Sequence, residues 1–182
     1  MILTFDIILL LILLFTIFWQ GSLLIATIIG SPVVYSYRGA VVDSMILAKA
    51  KKGDLVIDLG CGSARTLITA VQKFGVKGVG VDRSLYCYLR SLMNVWLSGN
   101  KHNIKIIWGD FKKAEKDLKQ ADIVYLYLLN STLKQIEQWL FSTIDNKTRI
   151  VSLAFYFEKH KSIGETTTFT LGKETKARLY QK

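Results

Sequence analysis

The sequence predicts an α/β fold: a doubly wound, mostly parallel seven-stranded sheet closing in an antiparallel hairpin, preceded by one membrane-spanning helix. Three observations carry this reading. Short apolar runs alternate with amphipathic helical patterns from residue 37 to residue 157. Gly60 and Gly62 form a tight turn where the first run passes into a helix. The first 30 residues are almost wholly apolar, which explains how a chain with 51% hydrophobic residues still carries 21% charged ones. At 182 residues the chain holds one domain of ordinary size.

The N-terminal segment comes first. From Ile7 to Trp19 only Thr16 is not apolar; Gln20, Gly21 and Ser22 interrupt, and Leu23 to Ile29 resumes. Read as one helix, Phe5 to Ile29 is roughly 37 Å long, more than the roughly 30 Å hydrocarbon core. Gly30, Ser31 and Pro32 end it. A core helix would show a polar face, and a cleaved signal would start with cationic residues; neither is present. Asp6 precedes the span, and Arg38, Lys49, Lys51 and Lys52 follow it, so the C-terminal side is expected in the cytoplasm as a single-pass protein. Cys61 and Cys87 then lie in a reducing compartment and stay unpaired. The division that follows is an anchor (1–30), a connecting amphipathic helix (31–52) and a globular domain (53–182).

The remaining elements are read in order. Val41, Val42, Met45, Ile46 and Ala50 recur at helical spacing over Tyr37–Lys51, and Leu55–Leu59 is a short buried strand. Ala64–Phe74 is a helix with Leu67, Ile68, Val71 and Phe74 on one face, closed by Gly75. Val76–Val81 is the second strand. Ser84 caps a helix to Leu97 with Leu85, Leu89, Leu92 and Trp96 expected inward. Ile104–Trp108, Ile123–Leu128 and Arg149–Phe157 are further strands. Between them lie a polar helix over Phe111–Lys119 and a helix marked by Leu133, Ile136, Leu140 and Phe141. Thr166–Leu171 and Ala177–Gln181 pair around Gly172 and Lys173.

Charge and cysteine content narrow the function. The net charge is +10, and every Lys and Arg follows residue 37, which favours an anionic partner such as a membrane face. No dense basic stripe interleaved with exposed aromatics is present, so a nucleic-acid partner is not expected. Two scattered Cys and two scattered His give no metal-ligand spacing, and no metal is expected. His102 and His160 are expected at the surface, and Cys61 as a packing residue.

Three strands end in an acid at one rim: Asp58 before the glycines, Asp82 twenty residues beyond Gly62, and Asp110 after Gly109. A lone Asp at such a place is usually a helix cap; three together with a glycine turn make a ligand site. A dinucleotide turn would carry a third glycine where Arg65 stands, and Asp58 would repel a pyrophosphate. The same carboxylate suits a cation, and S-adenosylmethionine carries a sulfonium and an ammonium and no phosphate.

The run Asp58-Leu59-Gly60-Cys61-Gly62, with Asp82 and Gly109-Asp110, resembles the motifs of class I S-adenosylmethionine-dependent methyltransferases over residues 53–182. An apolar span, then Ser31-Pro32-Val33-Val34, a helix and the glycine turn to Arg65 is similar to the small membrane-anchored lysine methyltransferases of the ATP synthase c-subunit and adenine nucleotide translocase, with their prokaryotic relatives. The resemblance implies a Rossmann-like sheet with S-adenosyl-L-methionine as cofactor. It implies that Asp58, Gly60 and Gly62 hold the methionine part, Asp82 the ribose hydroxyls and Asp110, with Phe111 beside it, the adenine; Arg65 matches the arginine opening the first helix. Ser63-Ala64 stands where the family often has Asp-Gly, Arg83-Ser84-Leu85 replaces Leu-Asn-Pro, and no Pro follows strand four.

The cofactor supplies the methyl group and the protein supplies orientation. A lysine acceptor must lose a proton, and Tyr125, Tyr127 and Asn130 near strand four are the candidates to align it, Tyr127 and Asn130 foremost. The expected activity is methylation of a lysine in a membrane or membrane-adjacent protein. The alternatives are a methyltransferase for a small or lipid-like substrate and a non-catalytic binding module.

Overall fold

The computed structural model describes residues 2–28, 37–170 and 172–182, with side chains of the first helix described over residues 5–21. That helix, α1, runs Ile2–Ile28. The described part of α1 is exposed along its length, and Trp19 packs against Tyr86 with ring centroids 4.2 Å apart. Among the described residues no helix is long and apolar enough to cross a membrane. The break expected at Gly30, Ser31 and Pro32 lies outside the described residues.

The sheet has seven strands in the order β3-β2-β1-β4-β5-β7-β6. Strands β1 (Leu55–Leu59), β2 (Lys77–Asp82), β3 (Ile104–Trp108), β4 (Ile123–Leu126) and β5 (Arg149–Leu153) are parallel, as their helical crossovers require. Strands β6 (Gly164–Thr170) and β7 (Lys173–Gln181) form the antiparallel hairpin, with β7 inserted between β5 and β6. Strand β5 ends four residues earlier than the sequence suggests. Ala154 has φ 67°, a left-handed turn that swings the chain off the ladder and starts the loop carrying Phe155 and Tyr156.

Helices cover both faces. Helices α2 (Arg38–Leu47) and α3 (Arg65–Phe74) pack over Val56, Ile123, Tyr125 and Val151. Helix α5 (Glu115–Leu118), preceded by a 3-10 turn at Phe111–Ala114, and α6 (Asn130–Thr143) pack over Ile57, Val79, Val124 and Ile150. Helix α2 is more than a connector. Ala40, Val41, Met45 and Ala48 are fully buried, and Asp43 accepts a 2.6 Å hydrogen bond from Thr168 on β6. At the base of the sheet Arg149 reaches back, donating to the carbonyls of Ala48 and Lys49 and pairing with buried Asp54 at 2.7 Å. The packing of the domain therefore includes residues ahead of residue 53.

Helix α4 (Leu85–Leu97) is capped by Ser84, whose hydroxyl accepts from the Cys87 amide. Its orientation corrects the sequence reading. The buried residues are Cys87, Ser91 and Val95, small enough to sit close on the sheet, and Leu89, Leu92 and Trp96 turn outward. Periodicity finds an apolar stripe but does not say which way it faces.

Candidate functional site

The crevice lies at the C-terminal rim of β1, β2 and β3, where a doubly wound sheet exposes its strand ends. The β1 ladder sets Leu59 beside Val81, so both chains leave the sheet together. The Gly60 and Cys61 amides donate to the Val81 carbonyl at 2.8 and 3.1 Å, pinning the turn over β2. Gly60 at φ 85° and Gly62 at φ 53° are left-handed, and a side chain at Gly60 would strike Leu128. Beside Gly62 there is open space, so the backbone there is approachable by a ligand. Ala64 is also left-handed, φ 59°, at the place where the related motif has Gly, a conformation costing about 1–2 kcal/mol. The turn is held from outside by Asn94 of α4, which donates to the Ser63 carbonyl at 3.0 Å.

Asp58 and Asp82 meet at this rim. Asp58 is buried, which raises its pKa to about 7; the charge on Asp82 adds to the rise and a hydrogen bond from Thr66 opposes it. Asp82 is half-buried, and burial raises its pKa against the amides of Ser84, Gly62 and Arg83. Its two oxygens accept from the Gly62 and Ser84 amides at 2.9 Å each. A carboxylate has about four lone-pair sites, so about two remain for a ligand's hydroxyls. A buried and a half-buried carboxylate, both with raised pKa, describe a site short of positive charge.

Asp110 lies further out. One oxygen accepts from the Lys112 amide and the other pairs with the Arg83 guanidinium. Burial raises its pKa, but the Lys112 amide and Arg83 outweigh it and hold the carboxyl below its ordinary value. Arg83 also lies 5.7 Å from the ring centroid of buried Phe111. A ligand amino group reaching Asp110 must share it with Arg83. Arg65 opens α3 on the exposed side of the turn.

On the strand-four side, Tyr125 is fully buried in the layer under α2 and α3, which removes it as a substrate contact. Tyr127 is half-buried, 6.1 Å from the Phe155 ring, and exposed Asn130 accepts from the Tyr156 amide at 3.3 Å. Both therefore line up with the loop after β5. His160 is not a plain surface residue. Its ring stacks on Phe141 at 3.5 Å, and Nδ1 lies 2.8 Å from Oε1 of buried Glu137. Cys61 is buried, and burial followed by Asp58 and Asp82 pushes its thiol well above the ordinary value, so it packs and does not react. Among the described residues no three His, Cys, Asp or Glu side chains group as a metal site.

Sequence reasoning missed Gly80, whose absent side chain makes room for the turn. A Cβ there would lie 2.7 Å from Cys61 Sγ and 2.8 Å from Cys61 Cβ. The turn cannot retreat without losing its bonds to Val81. Gly80→Ala should cost about 1–3 kcal/mol in urea unfolding and weaken ligand binding at the rim. The signal was available as a glycine inside a strand, directly opposite Asp58 in the ladder.

Known proteins share this arrangement. A family model described as the ANTKMT methyltransferase domain matches residues 58–163. A protein-lysine N-methyltransferase of Saccharolobus islandicus (strain REY15A) is 34% identical over 110 residues, 60% of this chain and 67% of that protein. An RNA methyltransferase from Salinibacter ruber, solved in complex with S-adenosyl-L-homocysteine, superposes with a TM-score of 0.73 at 25% identity, covering 81% of this chain and 93% of that one. The Bacillus subtilis M1A22 tRNA methyltransferase TrmK shares the fold, with a TM-score of 0.64 at 18% identity over 82% of this chain and 67% of its own.

Proposed function

Because the chain belongs to the ANTKMT methyltransferase domain family and is an S-adenosylmethionine-dependent methyltransferase, we propose that it methylates a lysine of a membrane or membrane-adjacent protein. Its likeness to a protein-lysine N-methyltransferase carries the substrate class. In this reading residues 1–30 anchor the chain in a single pass, residues 31–52 connect, and residues 53–182 work on the cytoplasmic side. The apolar run from Ile7 to Phe18, the exposure of its side chains and the basic charge after residue 37 support that placement.

The residues at the rim fit the cofactor. Gly60 permits the left-handed turn and Gly62 leaves backbone open just beyond Asp58, whose carboxylate has burial to offset and gains from a cation. Asp82 keeps two acceptor sites for ribose hydroxyls, and Asp110 and Phe111 flank the adenine with Arg83. Arg65 stands at the mouth. When bound, the cofactor supplies a methyl group on its sulfonium. Tyr127 and Asn130 orient the acceptor amine and take its hydrogen bonds, Asn130 Oδ1 sharing its second lone pair with the Tyr156 amide.

The pH dependence follows from Asp58. A carboxyl raised from 3.8 to about 7 by folding adds stability below pH 3.8 that is lost as pH rises through 7. A cationic ligand pulls the other way, since it binds the ionised form. The ligand-free protein should thus become less stable as pH rises from 3.8 to about 7, the interval between the ordinary and the folded pKa, while cofactor affinity rises and binding below about pH 7 releases a proton. Thermal melts and calorimetry in buffers of different ionisation heat check both signs.

The function itself is tested by giving methyl-labelled cofactor to membranes that hold the protein. Label recovered as methyl-lysine supports the proposal. Label only in lipid or quinone moves the function to a small-substrate methyltransferase, and label only in RNA replaces the protein substrate. Tyr127→Phe and Asn130→Ala should each slow turnover on the order of tenfold or more with cofactor affinity nearly unchanged.

A further inference from the structure

We propose that a cleft beside the acceptor side of the site binds a carboxylate side chain of the substrate protein, an Asp or Glu a few residues from the lysine, and that Arg178 selects it. This rests on the protein-lysine reading above. The cleft holds about 520 Å³ and lies between the loop after β5 and strand β7. Buried Phe157 and Tyr180 supply its apolar lining. Its polar lining includes Arg178, Lys161 and His160, and none of the described residues lining it is acidic.

Arg178 is short of acceptors. Its guanidinium lies 5.7 Å from the Tyr156 ring centroid, and Nη1 is buried with no hydrogen-bond partner. Glu165 stands 3.9 Å from Nε, beyond hydrogen-bond reach, and its Oε1 is taken by Lys176 at 2.6 Å. Glu158, in the loop after β5, pairs with Lys134. A partly buried cation left in this state gains from an arriving anion, and the planar guanidinium suits the two oxygens of a carboxylate.

The cleft is held in shape, and its place says whose carboxylate it takes. Buried Glu137 of α6 ties down the loop: Oε1 accepts from the Lys159 amide at 2.8 Å and lies 2.8 Å from His160 Nδ1, while the His160 ring stacks on Phe141. Tyr156 lines the cleft and donates its amide to Asn130, so one residue joins the cleft to the acceptor contact. The ladder gives the distance. Arg178 pairs with Ser152, and Ser152 with Leu126, the last residue of β4. Arg178 thus stands level with the end of β4 and two strands away, about 10 Å. An extended chain advances roughly 3.3–3.6 Å per residue, so a lysine placed at β4 sets a side chain about three residues away beside Arg178.

The test gives the full chain, in detergent micelles, methyl-labelled cofactor and peptides that hold one lysine in an Ala-Gly-Ser background. Glu, Gln or Arg stands at each place up to about four residues on either side of the lysine. Glu about three residues away should raise kcat/KM about tenfold or more over Gln. In Arg178→Gln that ratio should fall to about one, and in Arg178→Glu the preference should pass to Arg. Lys161→Glu, at an exposed position, should lower the preference for Glu severalfold and serves if the Arg178 variants do not fold. Glu no better than Gln in the parent chain, or a preference that survives Arg178→Gln, overturns the proposal. So does an Arg178→Gln chain that slows on every peptide alike, which is the mark of a structural role. If no peptide is methylated, the methyl-lysines formed in membranes that hold the protein decide. An Asp or Glu is expected within about four residues of each, and its absence overturns the proposal. Label found only in RNA, and lost in Arg178→Gln, gives the cleft to a phosphate and overturns it too. Methyl-lysine without the charge preference removes this inference alone, whereas no methyl-lysine in peptide or membrane removes the lysine reading with it.

Discussion

Asp82→Ala is expected to weaken cofactor binding by about a hundredfold or more without unfolding the protein. Two ribose contacts to a carboxylate are each worth about 1.5–3 kcal/mol, and about 1.4 kcal/mol is a factor of ten. The substitution also frees the Gly62 and Ser84 amides that the carboxylate now accepts from, loosening the turn. Stability moves little, because Asp82 is itself held above its ordinary pKa by burial, and removing it relieves Asp58. Calorimetry with S-adenosylhomocysteine and a thermal melt separate the two effects. Unchanged affinity would remove Asp82 from the site.

Arg149→Ala should destabilise the fold by about 3–5 kcal/mol, the usual cost of leaving one member of a buried ion pair alone. Asp54 has a side-chain exposure of 3% and Arg149 of 20%, so water repays little. The same guanidinium holds the Ala48 and Lys49 carbonyls that end α2, and its Nε donates to the Asp122 carbonyl at 3.3 Å. The loss should appear as a lower urea midpoint. Coupling Arg149→Met with Asp54→Asn should recover part of it, because the orphaned charge is gone; a double variant no better than the single would mean that the carbonyl bonds dominate.

The strand order of events around the crevice was legible because it is written locally. A run such as Val56 to Leu59, an acid and two glycines specify a strand end and a turn within a few residues, and this recurs at Asp82 and Asp110. The hairpin was legible through Gly172 at φ 73°. What stayed hidden depends on distant partners. Asp54 and Arg149 are 95 residues apart, and only the folded sheet brings Gly80 against Cys61. The facing of α4 was unreadable because Cys87, Ser91 and Val95 form a weaker stripe than the one beside it, yet their small size lets the helix lie close to the sheet. Arg83 over Phe111 was missed because a basic residue at a strand end reads as solvated until its acid is placed.

The packing of α2 has a consequence for the order in which the domain can assemble. This helix precedes every strand in the chain, yet much of its cover is β6 and β7, and the Asp43–Thr168 bond closes a loop of 125 residues. Contacts so remote in sequence form late, since the chain must give up its freedom before they repay it. The apolar side of α2 therefore stays only partly covered, by α3 and the central strands, while β1 to β5 are being made, on a chain whose preceding segment is itself apolar. A half-made molecule thus presents two adjacent sticky helices, and its exposure to aggregation ends only when the hairpin docks.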